Sequence, residues 1–164
     1  ILWVNLVTDG LPATALSLDP HSKGIMQRPP RGSKENILSK SLQWDILIFG
    51  TLMGIFGVIL FALYQDTSLM KAQTMVFTSL VLFEVVRLQT IRQEYKLGIF
   101  SNKPLFWAVI IFIILHILTI YTPASKWFKT EALALVDWGV LLIASGLIYV
   151  IYMLIDKFVV KKRK

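Results

Sequence analysis

Hydrophobic residues in this chain are grouped into five long runs that are separated by short polar segments. The runs cover residues 1–18, 44–64, 72–91, 104–122 and 134–155. A helix needs about 20 apolar residues to cross about 30 Å of hydrocarbon, and each run approaches or exceeds that length. The pattern therefore predicts an all-α fold, a polytopic transmembrane bundle of five spans, with a polar loop at residues 19–43.

The first run differs from the other four because polar side chains interrupt it. Asn5, Thr8 and Asp9 are spaced i, i+3 and i+4, which places them on one helix face. Pro12 has no backbone N–H, so the carbonyl of Thr8 loses its helical partner. We therefore predict that the first helix is broken at Gly10–Pro12.

This polar group is a candidate cation site. A carboxylate, an amide, a hydroxyl and a freed carbonyl are hard oxygen ligands, which suit a small hard cation such as calcium. Polar residues also hold membrane helices together, and proline kinks are common in spans, so Asn5 or Thr8 alone would indicate packing. Asp9 favours a functional site, because a lone carboxylate in a membrane span is costly.

Composition and charge support a membrane protein and indicate its orientation. Hydrophobic residues make up 55% of the 164 residues, the mean hydropathy is +0.65 and the formal net charge is +7. Thirteen of the 17 basic residues fall in the loop at 19–43, the segment between the third and fourth spans, and the tail. The positive-inside rule places these segments, and with them the C-terminus, in the cytoplasm. Basic residues that flank spans argue against a nucleic-acid role.

Two features of the whole chain limit the possibilities further. It has no cysteine, which excludes disulfides and thiolate metal sites. It begins with Ile1 inside an apolar run, without the charged segment of a secretory signal, so we expect a piece of a longer polypeptide.

The other ionisable residues of the spans allow several interpretations. Glu84 and Arg87 lie one turn apart in the third span, where Glu84 either faces the cation site or neutralises Arg87, and Arg87 could also reach the interface. His116 is interpreted as a packed or hydrogen-bonded residue, because metal sites need several ligands. Asp45 and Asp137 are predicted at helix N-termini, where negative charge is favourable.

The first loop contains a stiff segment, Arg28-Pro29-Pro30-Arg31. Consecutive prolines exclude a helix and impose an extended conformation. The segment serves either as a plain linker or as a docking strut for a cytoplasmic domain, and the loop alone does not separate the two.

Two sequence blocks carry a family resemblance. Residues 2–16, LWVNLVTDGLPATAL, closely resemble the sixth transmembrane helix of P-type calcium-transporting ATPases of the sarco/endoplasmic reticulum type. Residues 25–31, IMQRPPR, resemble the loop that follows that helix. The remaining spans match the last four helices of this family in number, order and orientation, although their sequences are generic.

The resemblance implies a function. Asn5, Thr8, Asp9 and Glu84 would be metal ligands, and the loop residues Arg28–Arg31 would couple ATP chemistry to ion movement. The parent would be an enzyme, an ATP-driven Ca²⁺ pump that removes calcium from the cytoplasm in exchange for protons, at the plasma membrane or an internal membrane. Its partners would be the lipid bilayer, the preceding membrane helices, and cytoplasmic domains that bind ATP and Mg²⁺.

The chain also departs from the family pattern. Arg87 stands one turn after Glu84, where the family usually has no basic residue, so we expect one bound calcium per cycle. The chain has neither a phosphorylation motif nor a nucleotide site, so by itself it has no catalytic residues and no cofactor site. A P-type pump for sodium or another cation, and a stand-alone helix-packing module without enzymatic activity, remain the alternatives.

Overall fold

The computed structural model describes residues 2–3, 5–6, 10–19, 40–94 and 97–157. Its helices are α1 (Gly10–Leu16), α2 (Lys40–Tyr64), α3 (Leu69–Glu94), α4 (Lys103–Tyr121), α5 (Ser125–Phe128) and α6 (Leu135–Ile155), with a 3-10 turn at Ile99–Ser101. The described residues contain no strand. The prediction of an all-α fold is confirmed for the part of the chain that the structure describes.

Four of the predicted spans are confirmed as helices that are long and apolar enough to cross a membrane. They are Leu42–Tyr64, Leu69–Gln93, Lys103–Tyr121 and Leu135–Ile155. The predicted span at 1–18 is not confirmed. The longest helix that the structure describes there is α1, which has seven residues and is too short to cross a membrane. A count of five spans therefore stays a prediction.

The helix boundaries correct those predicted from hydropathy in two places. The predicted loop ended at residue 43, but α2 begins at Lys40. Helix α3 runs from Leu69 to Glu94, beyond both ends of the predicted 72–91. Hydropathy marks the part of a helix that lies in hydrocarbon, whereas Lys, Gln and Glu continue the backbone hydrogen bonding into the polar region at either end.

Helix α3 is the centre of the bundle. It packs against α2 and α6 through an apolar core of large side chains from all three helices, and more lightly against α4. Met75 and Phe83 of α3 are fully buried in this core. A second, smaller cluster on the other side of α3 joins Val81 to Phe112 of α4. The outward faces of α2 and α6 expose Ile, Leu and Val, as expected of helices that contact lipid.

Polar contacts close one end of the bundle, between the α2–α3 turn and the start of α6. We call Ser68, Lys71, Glu131 and Asp137 the Lys71 cluster. Lys71 Nζ lies 2.8 Å from Asp137 Oδ2, and the Ser68 hydroxyl donates to Glu131 Oε2 at 2.6 Å. The Asp137 carboxylate also accepts a hydrogen bond from the backbone N–H of Ala134 at 2.7 Å. The prediction that Asp137 stabilises a helix N-terminus is confirmed.

Asp45 does not have the role predicted for it. Because α2 begins at Lys40, Asp45 lies in the second turn of the helix and not at its N-terminus. Its side chain is buried, and one carboxylate oxygen lies 3.5 Å from the Tyr152 hydroxyl of α6. Asp45 therefore belongs to the polar interior of the bundle.

Candidate cation site in the membrane

The segment that carries the predicted cation ligands is described in part. Asn5 lies with Leu6 in a wide, π-type helical turn, and its side chain is exposed within this chain. Such turns occur frequently at functional sites. Thr8 and Asp9 lie outside the described residues, as do Arg28, Pro29, Pro30 and Arg31 of the predicted coupling loop. Their predicted roles remain predictions.

Helix α1 begins at the predicted break. It starts at Gly10, and Pro12 occupies its first turn, where a missing N–H costs little because the first N–H groups of a helix have no intrahelical partner. Pro12 and Ala15 form its buried side, and α1 packs mainly against α4. Residues 7–9 lie outside the described part of the chain, so an interruption of the helix before Gly10 stays a prediction.

Trp3 shows where the beginning of this segment lies. Its indole packs against the cluster of Val81 from α3 and Phe112 from α4, and it meets the Phe128 ring edge-on at 5.1 Å between centroids. The indole Nε1 is buried and has no hydrogen-bond partner in the described residues. Trp3 therefore lies against the face that α3 and α4 share.

Glu84 lies on α3 one turn after Val81, so these two residues share one side of the helix. Its side chain is half-buried and makes contacts within the protein. Trp3 packs against the cluster that Val81 forms with Phe112, so the side of α3 that carries Val81 and Glu84 lies near Trp3. Among the residues that the structure describes, no three His, Asp or Glu side chains form a metal site by themselves.

Arg87 is one turn beyond Glu84 on α3, and its side chain extends toward α2 and α6. Its guanidinium donates a hydrogen bond to the Tyr152 hydroxyl at 3.2 Å. It also lies 5.0 Å from the centroid of the Phe49 ring and 5.5 Å from that of Tyr152, which are distances typical of cation–π contacts. The contacts of Arg87 are therefore with α2 and α6, inside the bundle.

His116 has the structural role that its isolation predicts. The imidazole is buried between α3 and α4, where Nε2 lies 3.1 Å from Thr78 Oγ1 and the ring packs against Phe77. Its Nδ1 has no partner within the described residues. The interpretation as a packed and hydrogen-bonded residue is confirmed.

A polar group that the sequence analysis missed fixes the end of α1. We call Asp19, Arg92, Ser101 and Asn102 the α1 junction. Arg92 Nε donates to Asp19 Oδ2 at 3.3 Å, and Arg92 Nη2 donates to the Ser101 hydroxyl at 2.7 Å. The Asn102 amide donates to Asp19 Oδ1 at 2.7 Å and to the Ala15 carbonyl at 2.8 Å. The junction therefore joins the end of α1 to the end of α3 and the start of α4.

One sequence signal pointed to part of this junction. Asn followed two residues later by Pro, before an apolar run, is a helix start, and Asn102 Oδ1 does accept from the backbone N–H of Leu105 at 2.8 Å. That signal identifies a cap on α4. It gives no indication that the amide group of the same side chain also binds the end of α1.

The sequence matches one protein family over almost its whole length. The family is described as "Cation transporting ATPase, C-terminus", and the match covers residues 1–159.

Individual relatives are calcium-transporting ATPases from bacteria and animals. The chain is 37% identical over 145 residues to a calcium-transporting ATPase of Bacillus subtilis, an alignment that covers 84% of this chain and 16% of the relative. It is 34% identical over 169 residues to calcium-transporting ATPase 1 of Bacillus cereus, covering 88% and 19%. It is 32% identical over 164 residues to calcium-transporting ATPase type 2C member 1 of Pongo abelii, covering 96% and 18%. The chain thus spans less than a fifth of the length of these relatives.

Proposed function

Since the chain belongs to the family of cation-transporting ATPases, and corresponds to their C-terminal region, we propose that it forms the membrane cation-binding part of an ATP-driven calcium pump. The transported ion is Ca²⁺, and Asn5, Thr8, Asp9 and Glu84 are its ligands in this chain. The names of the bacterial and type 2C relatives support calcium as the ion. The finer resemblance, to the sarco/endoplasmic reticulum type, rests on residues 2–16.

The observation that carries this proposal is the packing of Trp3 against the cluster of Val81 and Phe112. This contact lies beside the face of α3 on which Glu84 is half-buried. A carboxylate at that position and the oxygen-bearing side chains of residues 5–9 can then approach from two elements. Calcium needs six to eight oxygen ligands, so we expect the other membrane helices of the pump to supply the rest.

The chemistry of the ligands supports proton exchange. A carboxylate must lose its proton to bind a metal ion and can regain one after the ion leaves. We therefore propose that the pump moves protons in the direction opposite to calcium, with Asp9 and Glu84 as carriers. ATP and Mg²⁺ would be bound by domains outside this chain, and the segment Arg28–Arg31 would connect those domains to the cation site.

We also propose that the pump binds one calcium ion per cycle. Arg87 follows Glu84 by one turn, and its contacts with Phe49 and Tyr152 keep a fixed positive charge in the bundle interior. Like charges repel strongly where the local dielectric constant is low, so a fixed positive charge one turn from Glu84 disfavours a second divalent ion near that carboxylate. The positive-inside rule supports a cytoplasmic loop at residues 19–43 and a cytoplasmic C-terminus.

The proposal is tested by substituting Asp9 in the intact pump. We expect Asp9→Asn to abolish phosphorylation by ATP that depends on calcium, because the substitution removes the charge of the central ligand. The measurement is the phosphoenzyme formed from labelled ATP across a calcium titration. Asp66→Asn is a matched control, since Asp66 is an exposed carboxylate in the α2–α3 turn.

Each outcome of this experiment has a definite meaning. Calcium-dependent phosphoenzyme retained in Asp9→Asn would exclude Asp9 as a ligand. Wild-type phosphoenzyme that responds to sodium but not to calcium would identify a pump for another cation. Loss in both Asp9→Asn and Asp66→Asn would indicate a general sensitivity to carboxylate removal and would contradict the assignment.

A further inference from the structure

The α1 junction is the most completely satisfied polar group outside the candidate cation site. Both N–H groups of the Asn102 amide and its oxygen have partners, and these partners belong to α1, Asp19 and α4. Arg92 and Asn102 are 4% and 2% exposed, respectively. A buried charge or amide is costly unless it is paired, so this arrangement is retained only where the elements meet in one defined position.

The position of the junction along the chain relates it to the cation site. Arg92 is eight residues after Glu84 on the same helix, which is about 12 Å at the helical rise of about 1.5 Å per residue. Asp19 is ten residues after Asp9 and is the first residue of the loop that carries Arg28–Arg31. The two carboxylates that we propose as ligands therefore lie on two segments whose ends are tied together by Arg92 and Asp19.

We propose that Arg92 and Asn102 are positioning residues, which hold the end of the first segment in register with α3 and thereby set the calcium affinity of a site that they do not touch. This inference rests on the function proposed above. Calcium–oxygen distances fall in a narrow range of about 2.3–2.6 Å, so a shift of one ligand-bearing segment by a fraction of that length weakens binding. Arg92 and Asn102 would affect calcium affinity only by holding the end of the first segment in place, since neither side chain supplies a ligand.

The experiment uses Arg92→Gln and Arg92→Lys in the intact pump. Two quantities are measured for each variant: the calcium concentration that gives half of the maximal phosphoenzyme, and that maximal level. We expect Arg92→Gln to raise the half-saturating calcium concentration about tenfold, a typical size for coupling between sites. The maximal phosphoenzyme should stay close to that of the wild type. Arg92→Lys keeps a charge beside Asp19 and should recover most of the affinity.

A double variant and a control separate positioning from general stability. Asp19→Asn combined with Arg92→Gln should be no weaker than Arg92→Gln alone, because both changes remove one interaction. Tyr149→Phe removes the hydrogen bond that the Tyr149 hydroxyl donates to Gln93, next to Arg92 but directed to α6, at 3.1 Å. We expect this control to leave the half-saturating concentration unchanged.

Several results would overturn the inference. The first is an unchanged half-saturating concentration in Arg92→Gln together with a reduced maximal level, since that is the effect of a purely structural residue. An equal shift in Tyr149→Phe would also contradict it. If Arg92→Gln fails to fold, Ser101→Ala is used instead, which removes the hydroxyl that accepts from Arg92 Nη2 and donates to the Gly98 carbonyl. It should raise the half-saturating concentration about twofold, and no shift would reject the proposal. Failure of the proposed function would be recognised separately, because the wild type itself would then show no calcium dependence.

Discussion

The two ends of the bundle carry polar groups of the same chemistry that connect different parts of the molecule. The Lys71 cluster contains a lysine–aspartate pair at 2.8 Å, and the α1 junction contains an arginine–aspartate pair at 3.3 Å. Both pairs are largely shielded from solvent, and both are extended by hydrogen bonds to loops. The described contacts of the Lys71 cluster stay within the four long helices and their connections, whereas the α1 junction includes the segment that carries the proposed ligands.

This difference separates stability from affinity. Breaking the Lys71 cluster loosens the packing of the four long helices, which carry one proposed ligand, Glu84. Breaking the α1 junction leaves the packing of these helices intact and releases the end of the first segment. We therefore expect the first change to lower the stability of the protein and the second to lower its affinity for calcium.

The largest effect on stability is expected from Asp137→Ala at the Lys71 cluster. The change removes the ion pair with Lys71 and the hydrogen bond from the Ala134 N–H. Because the Lys71 ammonium is partly exposed at the end of the bundle, the cost is that of lost hydrogen bonds to a charged group, about 1.5–3 kcal/mol. The rate of thermal inactivation of the pump in membranes should rise strongly, while the half-saturating calcium concentration stays unchanged. A tenfold loss of calcium affinity in the surviving protein would contradict the separation.

A smaller effect is expected from Tyr152→Phe in the middle of the bundle. The hydroxyl accepts a hydrogen bond from Arg87 and lies near the Asp45 carboxylate, whereas the ring also packs against Phe49. The substitution keeps the ring, so the loss should be about 1 kcal/mol. Faster thermal inactivation with unchanged calcium affinity would show that Tyr152, like the Lys71 cluster, contributes to stability and not to calcium affinity. A change in affinity without a change in stability would place Tyr152 with the α1 junction instead.

Local patterns predicted much of this fold, because apolar runs of about 20 residues have one structural solution in a membrane. The long helices α2, α3, α4 and α6 follow from such runs alone. The exact start of α2 did not, since Lys40, Ser41 and Gln43 are polar yet helical. The error about Asp45 followed directly from that boundary. The first segment was harder, because Pro12 lacks the backbone N–H that continues the regular hydrogen bonding of a spanning helix.

The candidate site was predictable only where the residues that form it are close in the sequence. Asn5, Thr8 and Asp9 share one short segment, so their spacing alone suggests a common site, which stays a prediction. The α1 junction joins Asp19 to residues 73 and 83 positions later, and each member alone resembles an ordinary polar residue at a helix end. The direction of Arg87 was also not predictable, because the choice between Glu84 and Tyr152 depends on how α2 and α6 pack around α3.

The most direct test of the central claim is a count of bound calcium in the intact pump. Equilibrium binding of radioactive calcium would be measured for the wild type, for Asp9→Asn and for the control Asp66→Asn, each relative to the amount of active protein. We predict one calcium per wild-type and per Asp66→Asn molecule and none with comparable affinity in Asp9→Asn. Two ions per wild-type molecule would contradict the single site attributed to Arg87. Undiminished binding in Asp9→Asn would contradict the ligand assignment itself.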